Sequence, residues 1–265
     1  MKIATTKFGD TMRQDWDERA RKNAFYYIAS WREDWNEGFF LQSGEEDYQN
    51  LAAEILKRHV PPTFAVMLEL GCGAGRMTRS FAQRFKRVIA FDISSEMLER
   101  AKALHGGIDN ITWTQGNGVD LSAIPSASME FVFSYLMLQH LPSRALVCSY
   151  ISEILRVLAE GGICLFQFNG TAEKNMNWKG RAAWGLVDSF WALRLNRASR
   201  SMAKMLGLDP EMAGKTWHGV SIKSEHVANA VRQSGGTVLE LLGGETAMAW
   251  CCARMSSKSG ESRGT

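Results

Sequence analysis

Between residues 66 and 75 the apolar run Val66-Met67-Leu68 reaches Glu69. Glycine then occupies every second position, at Gly71, Gly73 and Gly75. The run reads as a buried strand turning sharply into a helix. Glycine suits such a turn because it tolerates positive φ and lets a ligand approach the backbone. A following helix start would add unpaired N–H groups and positive partial charge. A dinucleotide fingerprint wants glycine at the first, third and sixth positions. Here the sixth, counted from Gly71, is Arg76. The spacing present is acid-x-Gly-x-Gly-x-Gly. A carboxylate ahead of the first glycine repels a pyrophosphate but attracts an ammonium group.

A second acid, Asp92, ends the apolar run Arg87-Val88-Ile89-Ala90-Phe91. It lies about 20 residues beyond the glycines, where a nucleotide-binding βαβ unit places a carboxylate on the ribose hydroxyls. Gly116-Asn117-Gly118 follows the β-rich segment Ile111–Gln115. Asn117 can donate and accept there, or can simply make a turn. His140 follows the apolar segment Met129–Tyr135, and His218 lies far downstream. Either could serve as a general base, since neutral imidazole suits proton transfer at physiological pH. A structural role for each histidine, and catalysis without any base, stay open.

Taken in order, these residues resemble the class I S-adenosylmethionine-dependent methyltransferases, in the small-molecule branch. The first motif of that family has the form seen from Glu69 to Gly75. Its second strand ends in an acid like Asp92, followed by a small and an apolar residue, as in Ile93-Ser94-Ser95-Glu96-Met97. The helix–Gly161-Gly162–strand passage also looks like the family. The resemblance covers about residues 64–255. It implies an α/β, Rossmann-like fold: a seven-stranded, mostly parallel sheet with helices on both faces, an antiparallel last strand and an N-terminal helical cap. It implies S-adenosyl-L-methionine as cofactor. Cofactor contacts carry over onto Glu69, Gly71, Cys72, Gly73, Gly75, Arg76, Asp92, Ile93, Met97, Gly116, Asn117, Gly118, Ser134, Tyr135 and Gln139. Asn117 then faces the adenine amino group and Met97 packs on the adenine. No Asp/Asn-Pro-Pro-aromatic sequence follows the fourth strand, which argues against amino-methylation of bases or glutamine. The metal-dependent catechol type wants an acid where Ser134-Tyr135 stand, so no metal is expected. A nicotinamide oxidoreductase would share the fold, but Glu69 and Arg76 oppose it. An RNA or protein methyltransferase, or a silent S-adenosylmethionine-binding protein, are the alternatives.

The elements that must position these residues follow from periodicity and punctuation. Thr11–Trp35 is free of Pro and Gly and reads as a helix, with Trp16, Ala20, Asn23, Ala24 and Tyr27 on one face. It is either a surface helix or an aromatic lid that brings Phe25, Tyr26 and Tyr27 near the site. Ser43-Gly44-Glu45-Glu46 has capping-box spacing and predicts a helix to about Arg58. Pro61-Pro62 separates that helix from the first strand. Helices are expected over Arg76–Arg84, after Ser94 or Ser95, from Ser143 to Leu158, and after Ser221 or Ser224. Ile163–Phe168 reads as the fifth strand. Val238–Leu242 and Ala247–Ala253 read as a closing hairpin. The expected organisation is a helical cap at 1–60, a methyltransferase domain at 61–255 with an insertion at about 169–223, and a disordered tail from 256.

Composition narrows the partners. The chain of 265 residues is 45% hydrophobic, enough for one large α/β core. A net charge of +3 is too mild to argue for nucleic acid, and stable nucleic-acid binding is not expected. Between Thr171 and Met205 seven Lys/Arg face two acids. That segment reads as a solvated basic helix, as a lid over an anionic or amphipathic small-molecule acceptor, or as a membrane-surface contact. Five cysteines without a Cys-x-x-Cys pair read as reduced thiols, which places the chain in the cytoplasm. No secretory signal and no membrane span are visible.

Overall fold

The structure is a computed structural model and describes residues 2–171, 178–193, 195–208 and 219–257. The N-terminal region comprises α1 (Lys2–Ile28), α2 (Glu37–Asp47), a π-helical turn (Tyr48–Ala53) and α3 (Glu54–Arg58). The alternating part then runs β1 (Val66–Leu70), α4 (Thr78–Ala82), β2 (Arg87–Asp92), α5 (Ser95–Leu104), β3 (Ile111–Gln115) and β4 (Met129–Ser134). A 3-10 turn (Leu138–His140), α6 (Arg144–Val157) and β5 (Leu158–Phe168) follow. The remainder is α7 (Trp178–Ala192), α8 (Asn196–Met205), α9 (Ser224–Gln233), β6 (Gly236–Leu242) and β7 (Ala249–Met255).

The seven strands form one sheet in the order β3-β2-β1-β4-β5-β7-β6. Strands β1 to β5 pair in parallel, and β7 runs antiparallel between β5 and β6. The order reverses at β1, between β2 and β4. Ligands bind outside the carboxyl ends of the strands at such a switch point. Helices cover both faces, so the central strands are apolar almost throughout. On one face Leu68, Leu70, Val132 and Phe166 pack with Tyr150, Ile151 and Ile154 of α6 and with Val227 and Val231 of α9. On the other, Met67, Val88, Phe131 and Leu165 pack with Phe81 and Phe85 and with Tyr48, Ala52 and Leu56. Residues 48–56 are therefore part of a sheet-covering layer.

Two expected helices differ from the sequence reading. Ser43 is not an N-cap: α2 starts at Glu37, and Asn36 accepts from Phe39 N–H at 2.9 Å. Ser43 lies inside the helix and donates to the Phe40 carbonyl. Gly44 beside it is set by packing, because a Cβ there would run into the Arg76 carbonyl oxygen. The Thr11–Trp35 helix instead spans Lys2–Ile28 and breaks at Asn23 (φ −166°, ψ 89°), whose side-chain oxygen accepts from Tyr26 N–H. That local cap competes with the helical ladder. It redirects the last turn, so that Tyr27 and Ile28 face the sheet edge.

Gly44→Ala tests whether packing or propensity decides α2. Helix propensity alone favours Ala by about 1 kcal/mol. The contact with Arg76 predicts a net loss of about 1–3 kcal/mol in urea denaturation. Equal or greater stability would remove the packing account of this glycine.

Candidate cofactor and acceptor site

The carboxyl ends of β1 and β2 each present an acid at the switch point. Burial pushes Glu69 up to about 8. The Thr78 hydroxyl donates to Glu69 Oε2 at 2.5 Å, and the positive charge of Arg76 acts in the same direction, without overcoming that burial. Asp92 is pushed up to about 6, again by burial first, although Gly73 N–H and Ser94 N–H donate to its two oxygens at 2.8 and 2.9 Å. The loop between them keeps close to the sheet. Gly71 N–H and Cys72 N–H both donate to the Phe91 carbonyl. Gly71 and Gly73 hold positive φ, 80° and 55°, and a Cβ on either would run into Met137 or Ile28.

A cavity of about 590 Å³ opens over these acids. That volume lies in the range of small-molecule sites. Of the sequence-named residues, Glu69, Gly71, Cys72, Gly73, Arg76, Asp92, Ile93, Met97, Gly118, Tyr135, Gln139 and His140 line it. Gly75, Gly116, Asn117 and Ser134 do not line it. A Cβ on Gly75 would strike His105, and one on Gly116 would strike Phe91, so both are packing glycines. The Ser134 hydroxyl donates to the Leu70 carbonyl, tying β4 to β1. Asn117 is exposed and its amide closes its own turn. It accepts from Val119 N–H and Asp120 N–H and donates to Asp120 at 2.7 Å. Its side chain makes an Asx turn, which leaves the adenine role without support from the side chain. Cys72 is buried, and burial raises its thiol well above the ordinary range, which fits a small loop residue and not a nucleophile. All five cysteines are free thiols. His218 lies outside the described residues.

The far wall comes from α1 and its continuation. Met12, Trp16, Tyr27, Ile28 and Trp31 line the cavity. Phe25 does not; it stacks on Phe40 at 4.1 Å. The helix is fastened beside the second acid. Asp17 accepts from the Ser94 hydroxyl at 2.6 Å, and Ser94 in turn caps α5 by accepting from Met97 N–H. Trp31 and Tyr135 flank the buried Arg76 guanidinium at 5.2 and 5.7 Å, and Arg76 pairs with Asp47 at 2.7 Å. Sequence reading missed Met12, Trp31, Met137, Tyr150, Asn169 and Met248 on the cavity wall. They reach it from widely separated segments, and only the placement of Trp16 and Tyr27 on one helical face hinted at such a wall.

Residues 68–166 match the family model of the methyltransferase domain. Those residues carry a methyltransferase domain of the class I, S-adenosylmethionine-dependent kind. A trans-aconitate 2-methyltransferase from Azoarcus sp. is 31% identical over 137 residues, half of each chain. A malonyl-[acyl-carrier protein] O-methyltransferase from Enterobacter lignolyticus is 29% identical over 145 residues, 54% of this chain and 53% of its own. The chain thus spans about half the length of the curated relatives it matches. Among solved structures, an S-adenosylmethionine-dependent methyltransferase from Methanosarcina mazei superimposes with a TM-score of 0.54 at 16% identity, over 76% of this chain and 97% of that one. That likeness supports the seven-stranded fold described above.

S-adenosylmethionine is the cofactor of this domain, and the residues present fit it. A buried carboxylate (Glu69) and a half-buried one (Asp92), with few cationic neighbours, suit an ammonium group and a pair of ribose hydroxyls. The glycine backbone leaves room for close approach. Among the described residues no group of three His, Cys, Asp or Glu is placed to hold a metal ion.

The acids predict a proton-linked binding step. Glu69 in the ligand-free protein is mostly protonated below about pH 8, and a bound ammonium favours the ionised form. Affinity for S-adenosylmethionine should therefore rise roughly tenfold per pH unit from pH 6 toward 8, with proton release on binding. Calorimetry in buffers of different ionisation enthalpy reads both. A flat affinity and no proton release would remove the pairing of Glu69 with the ammonium.

Proposed function

We propose that this protein transfers the methyl group of S-adenosylmethionine to a small-molecule acceptor. The observation that carries the reading is the two-sided cavity: buried acids on the sheet edge face an aromatic and thioether wall from α1. When bound, the cofactor supplies a methyl already activated on a sulfonium, whose departure leaves a neutral thioether. What remains for the chain is alignment and exclusion of water. Glu69 and Asp92 fix one end of the cofactor, and the wall of Met12, Trp16, Tyr27 and Trp31 closes the other side of the cavity.

The same wall selects the acceptor. A site roofed by a helix admits a compact molecule more readily than an RNA or a folded protein. The aromatic and thioether lining favours an acceptor with an apolar body. Two relatives carry the names of trans-aconitate and malonyl-carrier substrates, both carboxylate-bearing, which supports a small acidic acceptor. The basic segment contributes less than its sequence suggests, since Arg200 of α8 is engaged by Glu18 of α1 at 2.9 Å. Among the described residues no helix is long and apolar enough to cross a membrane.

With methyl-labelled S-adenosylmethionine and fractionated cell extract, label should enter the small-molecule fraction. Label in RNA or protein would reverse the acceptor class, and no label in any fraction would favour a silent binding protein. Asp92→Ala should weaken cofactor binding by about 1–3 kcal/mol, the loss of a charged hydrogen-bond partner. Unchanged affinity in a folded variant would take Asp92 out of the ribose role.

A further inference from the structure

His140 sits at the end of a chain of side-chain amides whose orientation is set by the backbone. Gln167, fully buried on β5, meets two main-chain groups of opposite sense. Its Oε1 accepts from Leu136 N–H at 3.2 Å, and its Nε2 donates to the Ala247 carbonyl at 2.6 Å. An N–H can only donate and a carbonyl can only accept, so the Gln167 amide has one allowed orientation. Its Nε2 also donates to Gln139 Oε1 at 3.1 Å, which fixes the second amide in turn. Gln139 Nε2, a donor only, then faces His140 Nε2 at 3.2 Å. The imidazole must present a lone pair there. The anchor of this chain is itself strained: Leu136 holds a positive φ of 57°, a conformation that non-glycine residues keep only when their surroundings enforce it. Gln167 is one such surrounding contact.

We propose that Gln167 and Gln139 are positioning residues that hold His140 as the neutral imidazole with its proton on Nδ1. The acceptor then hands no proton to Nε2. Proton uptake at Nε2 would set two N–H donors against each other, and Gln139 cannot rotate to relieve this without giving up Gln167. His140, which lines the cavity and meets Trp16 edge-on at 5.3 Å, contributes an oriented neutral ring and not a general base. This assignment rests on the methyltransferase reading and deepens it. It fits an acceptor that loses no proton, such as a carboxylate: the oxygen lone pair forms the O–CH3 bond, the S–CH3 bond breaks, and its electron pair returns to sulfur.

The buried His105 provides an internal reference. His105 Nε2 lies 2.8 Å from the Gly75 carbonyl oxygen, so there Nε2 must carry the proton. Long-range proton–nitrogen correlation NMR on histidine-labelled protein at pH 7.5 reads both tautomers, with His140→Asn used for assignment. The expected spectrum has His140 protonated on Nδ1 alone and His105 on Nε2 alone. Gln139→Glu, which places an acceptor against the ring, should move the His140 proton to Nε2. A wild-type His140 carrying its proton on Nε2, or on both nitrogens, would overturn the proposal. So would a Gln139→Glu spectrum in which the His140 tautomer is unchanged. The measurement needs neither cofactor nor acceptor. Titration of the same sample with S-adenosylmethionine judges the methyltransferase reading separately.

Discussion

The structure depends on two carboxylates at neighbouring strand ends, Glu69 buried and Asp92 half-buried. Burial raises both Glu69 and Asp92 above their ordinary range, which means that their charged forms destabilise the empty site. Neither is matched by an adjacent protein cation at salt-bridge distance among the described residues. Arg76, the guanidinium nearest in the cavity lining, is itself engaged by Asp47. The ligand that completes such a site is one that brings its own positive charge and hydroxyl donors. The short glycine loop, the switch in strand order and the missing Cβ atoms at positions 71 and 73 follow from the need to bring that ligand close to both acids.

The helical cap is coupled to the same acids. Ser94 lies two residues after Asp92 and is bonded to it through its N–H, while its hydroxyl reaches Asp17 on α1. The Arg21–Glu96 pair crosses the same seam, although an exposed pair of this kind adds well under 1 kcal/mol. The buried Ser94–Asp17 bond is the stronger link. One segment therefore holds the Asp92 carboxylate, starts α5 and anchors the wall that covers the cavity. A change at Asp17 would reach both sides of the cavity together.

Much of this was legible in the sequence because single residues carried it. Glu69, the alternating glycines and Asp92 fall at strand ends beside the switch in strand order, and strand and helix periods supplied the frame. What failed depended on tertiary contacts. Ser43-x-x-Glu46 has the form of a capping box, yet Asn36 captures the start of α2, and Gly44 inside the helix answers to the close approach of the Arg76 carbonyl. Asn117 has the right chemistry for adenine, and locally its side chain closes its own turn. The wall of the cavity was largely hidden, since Met12, Tyr150, Asn169 and Met248 converge from distant parts of the chain. The amide chain behind His140 was equally hidden, because glutamines have no signature until their backbone partners are known.

The most direct test of the central claim is calorimetric titration of the purified protein with S-adenosylmethionine and, separately, with NADH. Binding of S-adenosylmethionine at micromolar affinity, displaced by S-adenosylhomocysteine and absent for NADH, is the predicted result. Binding of NADH alone, or of neither ligand to a folded sample, would contradict the assignment of Glu69, Asp92 and the glycine loop to this cofactor.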